Sequence, residues 1–271
     1  MIKKCLFPAA GYGTRFLPAT KSLPKEMLPI ITKPLIHYGV EEAMEAGIRN
    51  MAIVTGRGKR ALEDYFDISY ELEHQIKGSS KEPLLKEIRH IQNSCIFTYI
   101  RQKEMRGLGD AILKGEPLIG AEAFAVILAD DLCVNDDDGV LKQMVKVYNK
   151  HKCSVVAVME VPYEETHKYG IIKASSQNGN IIKIADMVEK PSNENAPSNL
   201  AIIGRYILTP DIFDILRFIK AGVNGELQIT DALKIQANEG RVLGYKFDGI
   251  RFDCGSIEGF VKATNYMYNK S

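Results

Sequence analysis

FPAAGYGTRFLPATKSLPKEMLP, residues 7–29, follows a short apolar run, Ile2 to Phe7, that reads as a buried β-strand. A strand that breaks into glycines brings backbone N–H groups close to a ligand, because glycine has no side chain to block the approach. Gly11 and Gly13 provide that approach, and Arg15 and Lys25 place positive charge beside it. Pro18, Pro24 and Pro29 stiffen the path between the cations and oppose one long helix. The stretch suits a triphosphate. Two familiar phosphate loops are excluded. The dinucleotide pattern G-x-G-x-x-G needs glycine where Phe16 stands, which also argues against a nicotinamide dehydrogenase. The pattern G-x-x-x-x-G-K-[ST] is absent, since Gly58-Lys59 has neither the spacing nor the hydroxyl.

At 271 residues, with 45% hydrophobic and 25% charged residues, the composition is that of an ordinary globular protein. A net charge of +1 offers no electrostatic footprint for nucleic acid or an anionic membrane. The 5 cysteines, Cys5, Cys95, Cys133, Cys153 and Cys254, are scattered without a C-x-x-C pair, so neither a zinc site nor a disulfide framework is indicated. No apolar run approaches a membrane span, and the first residues lack the long apolar core of a signal peptide. A cytoplasmic protein is expected.

The pattern downstream is α/β. Pro34 opens an amphipathic helix that Gly47 closes, Met51 to Thr55 is a second strand, and Gly56-Arg57-Gly58 turns toward the next helix. Strand, glycine turn, helix and strand begin a right-handed parallel sheet. Residues 59–93 are charged and helical in period, and read as two solvent-facing helices with a turn at Gly78-Ser79-Ser80. Cys95 to Ile100 is a third strand, delivering Gln102 and a second glycine turn around Gly107; Phe124 to Leu128 is a fourth, ending in Ala129-Asp130-Asp131. Ligands of open parallel sheets sit at the carboxyl ends of strands, and three such ends here carry glycine, an amide or acids.

A helix from Val140 and a strand from Ser154 to Glu160 continue the series. Ile171 to Ala174 and Asn180 to Val188 then alternate about Gln177-Asn178-Gly179 as a hairpin. Ala201 to Leu208 is a strand, Pro210 and Ile229 open helices, Val242 to Phe247 and Arg251 to Cys254 are terminal strands, and Ser256 caps a final helix. The expected architecture is an α/β fold in one domain with two lobes.

Several acids and one base stand where chemistry is possible. Asp130 lies just past a buried strand, and Asp253 occupies a similar place before Gly255. Two hard carboxylates meeting phosphate oxygens make a Mg²⁺ site, because this ion takes few protein ligands. The alternative for Asp253 is helix capping near Ser256. Asp131 reads as ordering its turn, and Asp136-Asp137-Asp138 as a solvated helix start. Glu189 suits two sugar hydroxyls and Lys190 a phosphate, if a bend at Pro191 turns both into a cleft; otherwise they are a surface ion pair. The 5 histidines show no pairing with a nucleophile and receive no catalytic role.

Taken in order, the glycine–cation stretch, GLGDA, ADDL, MVEKP, GELQITDAL and FDCGS resemble the sugar-1-phosphate nucleotidyltransferases, and among them the bacterial UTP–glucose-1-phosphate uridylyltransferase family. The resemblance covers nearly the whole chain and implies a Rossmann-like nucleotidyltransferase fold, a mixed, mostly parallel sheet flanked by helices with a smaller sugar-binding β lobe. Within one domain, 1–271, it implies a nucleotide-binding part over about 1–160 and a sugar-binding and C-terminal part over about 161–271. It implies that Ala10, Gly11, Gly13, Glu26, Gln102 and Gly107 frame the nucleotide. Arg15 and Lys25 would hold its triphosphate, Asp130 and Asp253 Mg²⁺, and Gly170, Glu189, Lys190 and Gly204 glucose 1-phosphate. Catalysis would fall to Arg15, Lys25 and Lys190, in a homo-oligomer (dimer or tetramer). The same chemistry with dTTP or another sugar phosphate is the nearest rival; a non-catalytic nucleotide-sugar sensor is a rival of another class.

Overall fold

The computed structural model describes residues 1–222 and 225–270. The chain opens with β1 (Lys4–Pro8), then folds residues 14–27 into three single 3₁₀ turns, Thr14–Phe16, Ala19–Lys21 and Lys25–Met27. The ribbons β2 (Pro29–Ile30) and β3 (Lys33–Pro34) lead into α1 (Leu35–Glu45) and β4 (Asn50–Thr55). Three helices follow, α2 (Ala61–Phe66), α3 (Tyr70–Ile76) and α4 (Lys86–Ser94), before β5 (Ile96–Arg101). Then come α5 (Leu108–Lys114), α6 (Glu116–Ile119), β6 (Phe124–Ile127) and β7 (Asp131–Val134). The helix α7 (Val140–His151) precedes β8 (Ser154–Glu160) and the hairpin β9 (Gly170–Asn178) and β10 (Ile181–Glu189). The remainder is β11 (Leu200–Leu208), α8 (Ile212–Phe218), α9 (Ile229–Asn238), β12 (Val242–Lys246), β13 (Ile250–Asp253) and α10 (Ile257–Lys270). No described helix is long and apolar enough to cross a membrane.

Nine strands form one sheet in the order β5-β4-β1-β6-β11-β8-β12-β10-β9. The run β5-β4-β1-β6 is parallel, so the carboxyl ends of these strands share one edge. β11 is antiparallel to both β6 and β8, β12 is parallel to β8, and the hairpin continues antiparallel. Parallel pairing thus dominates only the first half. The hairpin is joined to that same sheet through β12, with a further contact from β9 to β11.

Both faces of the central strands are apolar, as expected for a sheet covered on each side. Phe7, Ile53, Ile127 and Val155 face α1 and α7; Leu6, Val54, Val126 and Val156 face α5, α8 and α9. A third small cluster, Ile30, Leu35, Leu132, Cys254 and Ala263, ties β2, β7, β13 and α10 together.

Two differences from the expected element list have local causes. The charged segment holds a third helix, because Phe66 of α2 stacks on Phe97 of β5 with ring centroids 4.2 Å apart, pulling that helix out of solvent. The strand β7 is hidden between acids, and its partner is not the main sheet but β13. This pairing sets Asp253 directly opposite Asp131, one residue from Asp130.

Inside the sheet lies a charge that an apolar run conceals. Arg205 of β11 is 1% exposed, and its guanidinium donates to Glu42 Oε2 at 2.8 Å and to three carbonyls, those of Leu128, Gly204 and Asp131. Glu42 in turn accepts the Leu141 N–H at the start of α7. Removing one partner of such a pair strands the other without solvent. Arg205→Met is therefore expected to destabilise the fold by about 3–5 kcal/mol, with Arg205→Met/Glu42→Met costing less than the sum of the single changes. Additive losses in denaturant titrations would contradict this coupling.

Candidate active site

The parallel strands deliver the glycine–cation stretch and its companions to one edge. The Ala9 N–H donates to Val54 O and the Gln102 N–H to Thr55 O, so the exits of β1, β4 and β5 are tied together. Gly11 has open space where a side chain would stand, whereas Gly13, at φ 66°, is packed against Lys25 Cβ. Gln102 donates from its side-chain amide to Asp110 Oδ2 at 2.7 Å and to Gly107 O, leaving its own carbonyl oxygen as an acceptor. Gly107 is required by backbone: its φ is 91°, and a Cβ would meet Leu227 O at 2.9 Å. Glu26 is 1% exposed; Lys59 donates to its Oε2 at 2.7 Å, while its buried Oε1 has no partner. Burial raises its pKa despite Lys59 and Lys25.

The acids lie at the exit of β6. Lys25 Nζ donates to Asp130 Oδ2 at 2.5 Å. Burial opposes charge on both groups, yet the Asp130 carboxyl is held below its ordinary value by Lys25 and Arg15, and the Lys25 ammonium is held above its own by Asp130 and Glu26. Asp253 is the reverse case, raised by burial and by Asp131 and Asp130, against the pull of Arg251. A Cβ at Gly255 would stand 3.0 Å from Asp130 Oδ2, 3.1 Å from Asp253 Oδ1 and 3.4 Å from Arg15 Nη1. Glycine there lets two carboxylates and a guanidinium converge. The set fits Mg²⁺: two hard oxygen donors, with the remaining positions left to water and phosphate. Asp253 Oδ1 also accepts the Gly255 N–H, whereas the cap of α10 is Ser256, whose Oγ accepts the Gly259 N–H at 3.1 Å.

Asp131, opposite Asp253 across the β7–β13 pairing, has its oxygens committed to other partners. Its Oδ2 accepts the Gly204 N–H at 2.6 Å and its Oδ1 accepts Arg251 Nε at 2.8 Å, so it orders the turn as its sequence position suggests. Arg251 also reaches the Tyr169 hydroxyl at 3.0 Å.

A cavity of about 900 Å³ opens between these acids and the hairpin. Its lining includes Arg15, Asp130, Gly170, Glu189, Lys190, Gly204 and Asp253, which bring residues from both halves of the chain together. Ala10, Gly11, Gly13, Lys25, Glu26, Gln102 and Gly107 do not line it; they belong to the strand edge beside it, where Lys25 joins the two through Asp130. Glu189 and Lys190 enter the cavity by a bend at Lys190 itself, whose φ is 44°, and not at Pro191. The Lys190 N–H is fixed on Tyr169 O. Sequence reading missed Lys168, Lys262, Thr230 and Arg251, and it set aside His167, all of which line the cavity. Of these only Thr230 lay inside a quoted motif, GELQITDAL; the others carry no local signal.

A family model described as nucleotidyl transferase matches residues 6–270. The chain belongs to the nucleotidyl transferase family. Among its relatives, the UTP–glucose-1-phosphate uridylyltransferase of Pseudomonas aeruginosa is 65% identical over 269 residues, 99% of this chain and 96% of that one. A solved apo UDP-glucose pyrophosphorylase superposes with a TM-score of 0.96 at 64% identity, covering 100% of this chain and 99% of the other. A second, complexed with UDP-glucose, gives a TM-score of 0.94 at 61% identity over 100% of both chains. The nucleotidyl transferase fold expected from the sequence is the one observed.

The two neighbouring acids are expected to separate by experiment. Asp131→Asn keeps an oxygen for Gly204 but removes the charge beside Arg251, and should cost about 2 kcal/mol of stability. Its Mg²⁺ requirement should stay that of the parent protein. A shifted requirement at unchanged Tm would move Asp131 into the metal site.

Proposed function

We infer that the protein transfers UMP from UTP to glucose 1-phosphate, giving UDP-glucose and pyrophosphate. The observation that carries this reading is the 900 Å³ cavity, which joins the cation and carboxylate cluster of the first half to Glu189 and Lys190 of the second. The relatives that share nearly the whole chain carry the same activity in their names. A phosphate oxygen of the sugar attacks the α-phosphorus in line, forming the new P–O bond as the α–β bridging oxygen leaves with pyrophosphate. The nucleophile is already an anion, so no protein nucleophile is required. What the chain must supply is alignment and charge neutralisation.

The roles follow from chemistry at each place. Arg15 and Lys25 neutralise the triphosphate, and Lys190 the sugar phosphate. Glu189 accepts sugar hydroxyls. The unpartnered Oε1 of Glu26 and the carbonyl of Gln102 offer acceptors to a base N–H, at the strand edge that Ala10, Gly11, Gly13 and Gly107 share and that is open at Gly11. Gly170 and Gly204 line the sugar side and allow close approach there, of Thr230 and Glu189 to the first and of Asp131 and Leu128 to the second. Asp130 and Asp253 would hold Mg²⁺, which when bound would neutralise phosphate oxygens. The donor set and the close approach at Gly255 support that assignment. A homo-oligomer, dimer or tetramer, belongs to the same proposal.

Pyrophosphate release with a panel of nucleotides and sugar phosphates tests the reading. UTP with glucose 1-phosphate should give the highest kcat/KM; a preference for dTTP would overturn the nucleotide assignment, and no turnover with any pair would leave a sensor. Lys25→Ala should remain folded and lose about 10²-fold in kcat, the scale of a lost transition-state charge contact.

A further inference from the structure

One buried hydroxyl in the cavity is aimed at a substrate-facing carboxylate. Thr230, in the first turn of α9, is 4% exposed, and its Oγ1 donates to Glu189 Oε2 at 2.6 Å. The N-cap position of α9 is Gln228, and Thr230, the second helical residue, turns its hydroxyl to Glu189. The opposite strand makes room for that bond. Gly170 stands directly across from Glu189 in the β9–β10 pairing, and a Cβ there would lie 2.9 Å from Thr230 Oγ1 and 3.1 Å from Glu189 Oε2. Facing side chains of such a pair stand about 5 Å apart, so any residue larger than glycine would press on this contact.

The consequence is a carboxylate with two unlike oxygens. Oε2 is tied to α9, whereas Oε1 is turned to Lys190 Nζ at 3.5 Å, a loose pair on a lysine that is half exposed. A free carboxylate rotates and accepts hydroxyl donors from several directions, and so tolerates either epimer at a given sugar carbon. One pinned by a 2.6 Å bond presents its acceptor lone pairs along fixed directions.

We propose that Thr230 is a positioning residue that locks the Glu189 carboxylate, and through it sets the protein's preference for glucose 1-phosphate over epimeric hexose 1-phosphates. This rests on Glu189 being the sugar-binding acid of the reaction above. Thr230 touches no reacting atom; it acts through Glu189. Its removal changes sugar binding and sugar choice, and leaves the nucleotide side alone.

The test compares the parent with Thr230→Val, Thr230→Ala and Thr230→Ser, using UTP with glucose, galactose and mannose 1-phosphates. Parent turnover of UTP with glucose 1-phosphate is measured first; its absence would overturn the functional reading and this inference together. With that turnover present, Val and Ala should raise KM for glucose 1-phosphate about tenfold, equivalent to about 1.4 kcal/mol. They should narrow discrimination against the epimers by a similar factor, with KM for UTP unchanged and kcat within about threefold. Ser should restore the parent values, since it returns the hydroxyl. Parent-like KM and epimer ratios in folded Val and Ala variants would overturn the inference while leaving the functional reading standing. Equal rises in KM for both substrates would overturn it too, as would a Ser variant no better than Val. If neither Val nor Ala folds, Thr230 is a structural residue and the inference fails.

Discussion

The site depends on one buried guanidinium. Arg205 sits where the parallel half of the sheet meets its antiparallel half, and it gathers Glu42 from α1 with the carbonyls of Leu128, Gly204 and Asp131. Leu128 and Asp131 bracket the turn that carries Asp130. A charge in this place costs desolvation that only several partners can offset. Arg205 has them, so the turn has few ways to move. Asp131 then passes the constraint outward to Arg251, and Arg251 to Tyr169, whose carbonyl holds the Lys190 N–H. The turn that carries Asp130 and the bend at Lys190 are thus fixed by one connected set of hydrogen bonds.

The second organising contact is temporary by nature. Lys25 and Asp130 are paired at 2.5 Å, each holding the other in its charged form. Both have a second employment in the proposed reaction, one on phosphate and the other on Mg²⁺. The pair therefore keeps two charges ready in a buried place. A bound nucleotide with Mg²⁺ would give each side chain a new neutralising partner in place of the other.

Much of this was legible in the chain. The glycines and cations of residues 7–29, the acids after β6 and the alternation of the hairpin follow from local chemistry, and each lies where the sequence reading put it. What was not legible arises from partners far apart in sequence. Arg205 looked like one polar residue in an apolar strand, because Glu42 stands 163 positions away. The strand β7 was masked by its acids and pairs only with β13, 116 or more positions later. Thr230 lay inside a recognised motif, yet its role needed Glu189, 41 positions earlier, to come within hydrogen-bonding distance. Lys190 bends the chain by its own left-handed conformation, a cost that no proline signalled.

The central claim is that two carboxylates from opposite halves of the chain hold one divalent cation beside the nucleotide. Anomalous diffraction from crystals grown with UTP and Mn²⁺ in place of Mg²⁺ tests it most directly. The account predicts one strong Mn²⁺ peak at coordination distance, about 2.0–2.3 Å, from an oxygen of Asp130 and an oxygen of Asp253. A peak held by Asp131, or a nucleotide complex in which the only Mn²⁺ lies away from Asp253, would contradict it.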